Sequence, residues 1–173
     1  RAAGRLCAQH DITVVTGAYG GSGMEAPARG AKDWDSGAVV IGHGLCIPGL
    51  TANEWVQLSE PFTSDSPIEH RYGMRLGDLL RSDAFIIGGD GGVGTVAELA
   101  AVVNLNLKLW PKFGAKETKR VAILTVEGVS YNFLKHFRLM ADDPTTAKVI
   151  AELFRVVYIP EKAVDWVTGV TPA

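Results

Sequence analysis

Cysteine is scarce in this chain. Cys7 and Cys46 are the two cysteines, and they form neither a CxxC pair nor a metal-ligand spacing. This argues against a disulfide scaffold or a zinc module and predicts a reducing, cytoplasmic location. No run of about eighteen apolar residues occurs, so we expect no transmembrane helix and no membrane partner. Residues 1–5 (RAAGR) lead into no apolar segment, and we expect no signal peptide.

The chain also lacks a large excess of positive or negative charge. Seventeen Lys and Arg stand against nineteen Asp and Glu, giving a formal net charge of −2. Nucleic-acid-binding domains usually carry a basic excess, so we expect no nucleic-acid partner. The four histidines show no ligand spacing and no GxSxG motif is present. We therefore predict no metal site at these histidines and no Ser/His/acid catalytic arrangement.

Hydrophobic residues make up 47% of the 173 residues, enough for one sizeable core, and we predict a single domain over 1–173. Short β-branched runs alternate with longer helical patterns. This is typical of a Rossmann-like α/β fold, with a doubly wound, mainly parallel sheet and helices on both faces. The predicted strands are 12–16, 38–42, 84–88, 121–125 and 156–159, and the predicted helices are 24–34, 68–82, 95–107, 129–140 and 143–153.

Three stretches depart from a simple alternation. Residues 1–9 have a helical pattern where a doubly wound sheet normally starts with a strand, so we expect a first βα strand to be missing upstream. Residues 43–67 contain three prolines and predict a long loop with one short helix around 53–58. The predicted helix 95–107 is apolar nearly all round, and we expect the sheet, a partner or both to bury it.

The first glycine-rich loop covers 16–25 and links a predicted strand to a helix. Glycines let the backbone approach a ligand, and the following helix offers unpaired N–H groups to an anion. The residues predicted to bind a phosphate or nucleotide here are Gly20, Gly21, Gly23, Met24 and Glu25. Residues 21–26 match GxGxxA, but no acidic residue ends the next strand, which disfavours NAD or FAD. A tight turn without a ligand is the alternative.

The second glycine-rich loop has five glycines within 88–94, between a buried strand and an apolar helix. Such a loop can direct several N–H groups and a hydroxyl at one phosphate. The predicted phosphate ligands are Gly91, Gly92, Val93, Gly94 and Thr95. No GK[ST] follows, so kinase or ATPase chemistry loses its main support.

Glu98 has two interpretations. Thr95 and Glu98 are spaced as a capping box, in which the threonine caps the helix and the glutamate reaches back to it. One turn beyond a phosphate loop, Glu98 could also hold a ribose and favour positive charge at its anomeric carbon. The two roles are compatible.

Two arginines lie one turn apart on predicted helix 68–82. Arg71 and Arg75 share a helix face. They are either solvated cations, one of them paired with Asp78, or phosphate ligands placed by the helix that leads into the glycine-loop strand. The predicted buried stripe of this helix is formed by Tyr72, Leu76, Leu79 and Leu80.

These motifs resemble the Lonely Guy (LOG) family, long described as lysine-decarboxylase-like. The sequence GGVGTVAE at 91–98 is similar to the family pattern PGGxGTxxE, and VTGAYGGSGMEAPARGA at 15–31 is similar to VTGGGPGxMEAxxRGA. Arg75 precedes Glu98 by 23 residues, as the arginine of the family's catalytic pair does. The similarity covers roughly residues 1–140, and Asp90 stands where the family has proline.

The resemblance implies a phosphoribohydrolase, an N-glycosyl hydrolase that cleaves a nucleoside 5′-monophosphate into free base and ribose 5-phosphate. AMP or an N6-substituted AMP of the cytokinin type would be the substrate. Arg75 and Glu98 would be catalytic, with the second loop and Arg71 on the nucleotide. The family also implies a homodimer and a reaction that needs no metal and no cofactor.

The alternative is a non-catalytic protein of the same fold that binds a nucleotide or a cofactor. Related proteins of this fold include a molybdenum-cofactor carrier and nucleotide-sensing modules, so the fold alone does not decide. Asp90 and the absent first strand favour this alternative.

Overall fold

The computed structural model describes residues 1–21, 23–60, 65–89, 91–109, 112, 118–126 and 144–169. The chain divides into two compact units, Arg1–Ser82 (unit 1) and Asp83–Ala173 (unit 2). Each unit contains a parallel three-stranded sheet flanked by helices. The predicted Rossmann-like α/β class is confirmed, whereas one domain over 1–173 stays a prediction.

Unit 1 has the strand order β1-β2-β3, with neighbouring strands parallel. Its elements are α1 (Ala2–Gln9), β1 (Val14–Thr16), α2 (Glu25–Trp34), β2 (Val40–His43), β3 (Gln57–Ser59) and α3 (Ile68–Leu79). Val14 and Val40 of the sheet pack against Ala28 and Ala31 of α2 in a small apolar core. Short strands that run in parallel bring their carboxyl ends to one edge of this sheet.

Helices α1 and α2 pack unusually closely, because glycines lie at their contact. A Cβ on Gly4 would overlap the carbonyl oxygen of Pro27 and lie 2.6 Å from its carbonyl carbon. A Cβ on Gly30 would lie 2.8 Å from the carbonyl carbon of Arg1. The two glycines therefore permit a backbone approach that no other residue type allows.

Unit 2 has the order β4-β5-β6, again parallel. Its elements are β4 (Phe85–Gly88), α4 (Val93–Asn104), a π-helical turn (Leu105–Leu109), β5 (Val121–Leu124), α5 (Pro144–Leu153), β6 (Phe154–Val157) and α6 (Pro160–Thr168). Three consecutive residues of β5, Val121, Ala122 and Ile123, are fully buried. This apolar run is expected of a central parallel strand covered on both faces.

Several predicted elements need correction. The short helix predicted around 53–58 is wrong, because residues 57–59 form strand β3. Helix α6, which begins with Pro160 and ends before the left-handed Gly169, was not predicted. Helix α4 buries Leu99, Val102 and Val103 and leaves Val96 41% exposed, so burial of its remaining face by a partner stays a prediction. The predicted helix 129–140 lies outside the described residues.

None of the helices in the described ranges is long and apolar enough to cross a membrane. The predicted helix at the start of the chain is present as α1.

Candidate functional site

The second glycine-rich loop leads directly from the sheet of unit 2 into α4. The N–H of Gly89 donates to the carbonyl of Leu124 at 2.7 Å and so continues the β4–β5 pairing. The N–H of Gly91 donates to the carbonyl of Gly88 at 3.1 Å and turns the chain. Helix α4 begins at Val93, with Gly92 as its N-cap. The loop thus places the start of α4 beside the carboxyl ends of β4 and β5.

The start of α4 carries no side-chain cap and no acidic residue in its first turn. Gly92 and Gly94 are exposed, and Val93 is 88% exposed. The N–H groups of a first helical turn have no intrahelical acceptor, and they make this end of a helix favourable for an anion. The start of α4 is therefore exposed and uncapped, and phosphate binding by the residues of this loop stays a prediction.

Thr95 packs directly over the loop. A Cβ on Gly91 would overlap the side chain of Thr95, so a glycine is needed at that position. The capping-box interpretation is wrong, because α4 begins two residues before Thr95 and Gly92 is its N-cap. Glu98 lies in the second turn and is half-buried. Asp90 and Ser22 lie outside the described residues.

A buried hydroxyl lies at the same edge of unit 2. Thr125 follows the last residue of β5 and is 7% exposed, and its N–H donates to the carbonyl of Val157 at 2.9 Å. Its Oγ1 is buried and finds no hydrogen-bond partner within the described part of the chain. A buried polar atom without a partner is rare and points to a missing ligand or solvent molecule.

The first glycine-rich loop is less open to an anion. The N–H groups of Met24 and Glu25 both donate to the carbonyl of Gly21, at 3.1 and 2.8 Å. Glu25 also places a carboxylate in the first turn of α2, where it interacts favourably with the helix dipole and repels other anions. A Cβ on Gly23 would meet nothing within 4 Å, whereas a Cβ on Gly20 would lie 3.9 Å from Glu25 Oε2. Ligand binding by this loop stays a prediction.

Helix α3 presents its arginines inward. Arg71 and Arg75 are each 9% exposed, whereas Tyr72 is 40% and Met74 is 42% exposed. The prediction that Tyr72 belongs to the buried apolar stripe is therefore wrong, whereas Leu76, Leu79 and Leu80 are partly buried. Arg75 Nε donates to the carbonyl of His43 at 2.9 Å.

The reason for this burial is a set of backbone carbonyls at the end of β2. Arg71 Nη1 donates to the carbonyl of Leu45 at 3.0 Å and also to that of Cys46. A Cβ on Gly17 would overlap Nη2 of Arg75, so the first glycine loop lets this guanidinium approach closely. The interpretation of both arginines as solvated cations is wrong.

Two residues that the sequence did not single out complete this region. Glu60 Oε1 accepts from the N–H of Cys46 at 2.9 Å, and the hydroxyl of Tyr19 accepts from the N–H of Leu45. The Tyr19 hydroxyl also donates to Glu60 Oε1 at 3.4 Å. Glu60 directly follows β3, so a correct prediction of that strand would have drawn attention to it.

His43 ends β2 and faces α3. Its Nδ1 lies 4.0 Å from Oδ2 of Asp78. The other carboxylate oxygen of Asp78, Oδ1, lies 3.5 Å from Nη1 of Arg81. Burial lowers the pKa of His43 below its ordinary value, and the nearby Arg75 and Arg81 charges lower it further, while Asp78 acts in the opposite direction.

We expect the free energy of unfolding to fall on acidification between about pH 7 and pH 5. The unfolded chain binds the His43 proton at a higher pH than the folded chain, so stability rises with pH in this range. Urea unfolding at several pH values should show a flatter profile for His43→Gln, with exposed His70→Gln as the matched control. An unchanged profile for His43→Gln would contradict this assignment.

Across the described residues, no group of three or more His, Cys, Asp or Glu could hold a metal ion. Cys7 and Cys46 are free thiols.

The comparisons with known proteins identify the fold. No protein-family model matches the chain, and no curated protein does. A molybdenum cofactor carrier protein from Chlamydomonas reinhardtii matches with 22% identity and a TM-score of 0.61, over 96% of this chain and 82% of that one. A molybdenum cofactor binding protein from Rippkaea orientalis matches with 18% identity and a TM-score of 0.61, over 97% of this chain and 83% of that one.

These similarities correct the functional prediction. The predicted Lonely Guy relationship, the phosphoribohydrolase activity and the AMP or cytokinin-type nucleoside monophosphate substrate are wrong, since the matching structures are those of cofactor carriers and binders. The physical reason is that the matched glycine motifs describe a strand–loop–helix geometry, which proteins of one fold share across different functions. The catalytic roles of Arg75 and Glu98 depended on that activity. Their place in a ligand site, and the homodimer, stay predictions.

Proposed function

We propose that this chain is a non-catalytic carrier of a molybdenum-cofactor-type ligand, an anionic phosphorylated pterin. The observation that carries the proposal is the open N-terminus of α4. The N-cap Gly92 and the first two helical residues, Val93 and Gly94, are exposed, and no side chain caps the helix. The similarity to carrier structures over most of the chain supports it. A carrier needs to bind and release its ligand unchanged, and this requires hydrogen-bond donors but no reacting group.

The residues of unit 2 fit such a ligand. Gly92 has φ −81° and a Cβ there would meet nothing within 4 Å, so neither backbone strain nor crowding requires a glycine at the cap. A capping serine or aspartate would fit, but its side chain would compete with a bound anion for the same N–H groups. The N–H groups of Val93, Gly94 and Thr95 would hold the phosphate.

The unpartnered Oγ1 of Thr125 supplies a second polar contact at the same sheet edge. In open α/β sheets, ligands bind outside the carboxyl ends of the strands, where Thr125 and the α4 loop both lie. The bound cofactor would bring its own redox-active molybdenum. The chain's residues would bind its anionic end, orient it and limit its contact with water.

The test is a charge placed at the start of α4. Val93→Asp adds a negative charge to the first turn, and we expect it to weaken binding of molybdenum cofactor by about tenfold or more through repulsion of the anion. The same change should leave the fold intact or stabilise α4 by about 0.3–1 kcal/mol, because an acidic residue suits this end of a helix. Lost binding can therefore not be attributed to unfolding.

The matched control is Val93→Asn, because asparagine is nearly the same size as aspartate and carries no charge. Titration calorimetry should give this variant an affinity within about threefold of the parent chain. A threefold change in affinity corresponds to about 0.6 kcal/mol, and a neutral substitution at an exposed residue has effects of no more than this size. Recovered cofactor should be chemically unchanged. A parent chain that binds no cofactor, or a Val93→Asp chain that binds as tightly as the parent, would refute the proposal.

We also propose a cytoplasmic location. The two free thiols, Cys7 and Cys46, are consistent with a reducing compartment.

A further inference from the structure

Tyr158 is an exposed aromatic residue at the carboxyl edge of the unit 2 sheet. It directly follows β6 and is 52% exposed. Within the β5–β6 pairing, Leu124 lies opposite Val157. The next residues along these two strands are Thr125 and Tyr158, and the pairing reaches this far, because the N–H of Thr125 donates to the carbonyl of Val157. Neighbouring strands lie about 4.8 Å apart, so the two residues are adjacent at this edge.

Tyr158 and Thr125 share the face of the sheet that the crossover helices cover. Side chains alternate between the two faces along a strand, so Arg155 lies on the face opposite Tyr158. The guanidinium carbon of Arg155 lies 4.7 Å from the ring centroid of Trp166, a residue of α6. Helix α6 therefore covers the face of Arg155. Since β5 is buried on both faces, α4 and α5 cover the face of Tyr158.

Three features lie at this edge of unit 2, on the same face. The first is the uncapped start of α4, whose first turn leaves Val93 and Val96 exposed. The second is Thr125, whose buried Oγ1 has no hydrogen-bond partner within the described ranges. The third is the exposed ring of Tyr158. Apolar and aromatic walls with a few polar groups that fix orientation are typical of small-molecule sites.

A phosphorylated pterin has parts that match these features. Its fused heterocycle is flat, with apolar faces and a rim of N–H, amino and carbonyl groups. An exposed tyrosine offers a flat ring on which such a heterocycle can stack, at a low cost in side-chain entropy. The hydroxyl of Thr125 can donate as well as accept, and so suits the rim of the heterocycle. The start of α4 is left for the phosphate.

We propose that Tyr158 stacks on the pterin ring of the bound ligand and makes the site selective for a flat heterocycle over other phosphorylated compounds. This inference rests on the proposed carrier function, because that function supplies the class of ligand. Tyr158 is a binding residue and takes part in no chemical step. The stacked tyrosine also shields one face of the heterocycle from water.

The direct test is a titration with hydroxymethylpterin, which has no phosphate, followed by proton NMR of the tyrosine rings. We expect the ring protons of Tyr158 to shift upfield along a saturable curve, because they lie over the ring current of the bound heterocycle. Tyr158→Phe identifies these resonances and keeps the stack, so its affinity should stay within about threefold of the parent chain. Val93→Asp should change the affinity for this uncharged probe by less than about twofold.

Tyr158→Ala removes the stacking ring. We expect it to lower the affinity for hydroxymethylpterin and for molybdenum cofactor by about tenfold, as the loss of one base-stacking aromatic residue does. The matched control is Ile159→Ala. Ile159 is the next residue, is 54% exposed, and by strand alternation is directed to the face that α6 covers. Its affinities should change by less than about twofold.

Two results would overturn the stacking role of Tyr158. One is a set of Tyr158 ring resonances that do not move with hydroxymethylpterin in the folded parent chain, a result that needs no alanine variant. The other is cofactor binding that Val93→Asp weakens but Tyr158→Ala weakens no more than Ile159→Ala does, and this result would leave the carrier proposal standing. Pterin binding that depends on Tyr158, with cofactor affinity insensitive to Val93→Asp, would instead support the stack and refute the phosphate site.

Discussion

Replacing Asn106 by leucine should lower the free energy of unfolding by about 2–4 kcal/mol. Asn106 is fully buried in the π-helical turn that follows α4. Its Nδ2 donates to the carbonyl of Lys119 at 3.1 Å, and its Oδ1 accepts from the N–H of the same residue at 2.9 Å. Leucine has the same branched shape but is larger than asparagine, and it removes both hydrogen bonds to Lys119 at once.

The measurement is urea unfolding, with Asn104→Leu as the matched control. Asn104 is the last residue of α4 and is exposed, so the same substitution should change stability by no more than about 0.5 kcal/mol. Equal losses in the two variants would show that the paired bonds to Lys119 do not stabilise unit 2.

Replacing Gly4 by alanine should destabilise the chain by about 1–3 kcal/mol, even though alanine is the better helix former. The added Cβ would overlap the backbone of Pro27 in α2, and backbone atoms cannot rotate away as a side chain can. Helix α1 would have to separate from α2. The propensity gain of about 0.5–1 kcal/mol is smaller than this cost.

The matched control is Gly73→Ala in α3. Gly73 is exposed and a Cβ there would meet nothing within 4 Å, so only the propensity gain remains. Unfolding free energy should rise by about 0.5–1 kcal/mol. If Gly4→Ala were stabilised in the same way, the close packing of α1 on α2 would be contradicted.

The sequence predicts the fold well where apolar periodicity is strong. The β-branched run at β5 and the repeat of α4 gave elements close to those observed. Strand β3 was missed because Gln57 and Leu58 are exposed and its three residues carry no β-branched side chain. Helix α6 has a proline start and a glycine end that could have predicted it.

The candidate site was predictable in its residue types and less so in its geometry. Periodicity gives the one-turn spacing of Arg71 and Arg75, but it left open whether they are solvated cations or phosphate ligands. Their burial depends on carbonyls of residues 43–46, which only the folded chain brings near. The glycine-rich loop after β4 was correctly predicted to lead from a strand into a helix, although α4 begins at Val93, two residues earlier than predicted. Its chemistry was inferred from motifs that different functions share.

The absence of a side-chain cap at the start of α4 also affects which substitutions are favourable at position 92. A cap such as Gly92→Asp would strengthen that helix end by a few tenths of a kcal/mol up to about 1 kcal/mol, without crowding. It would also put a negative charge where we propose that the phosphate of the ligand binds. Selection for stability and selection for binding of the proposed ligand therefore favour different residues at this single position.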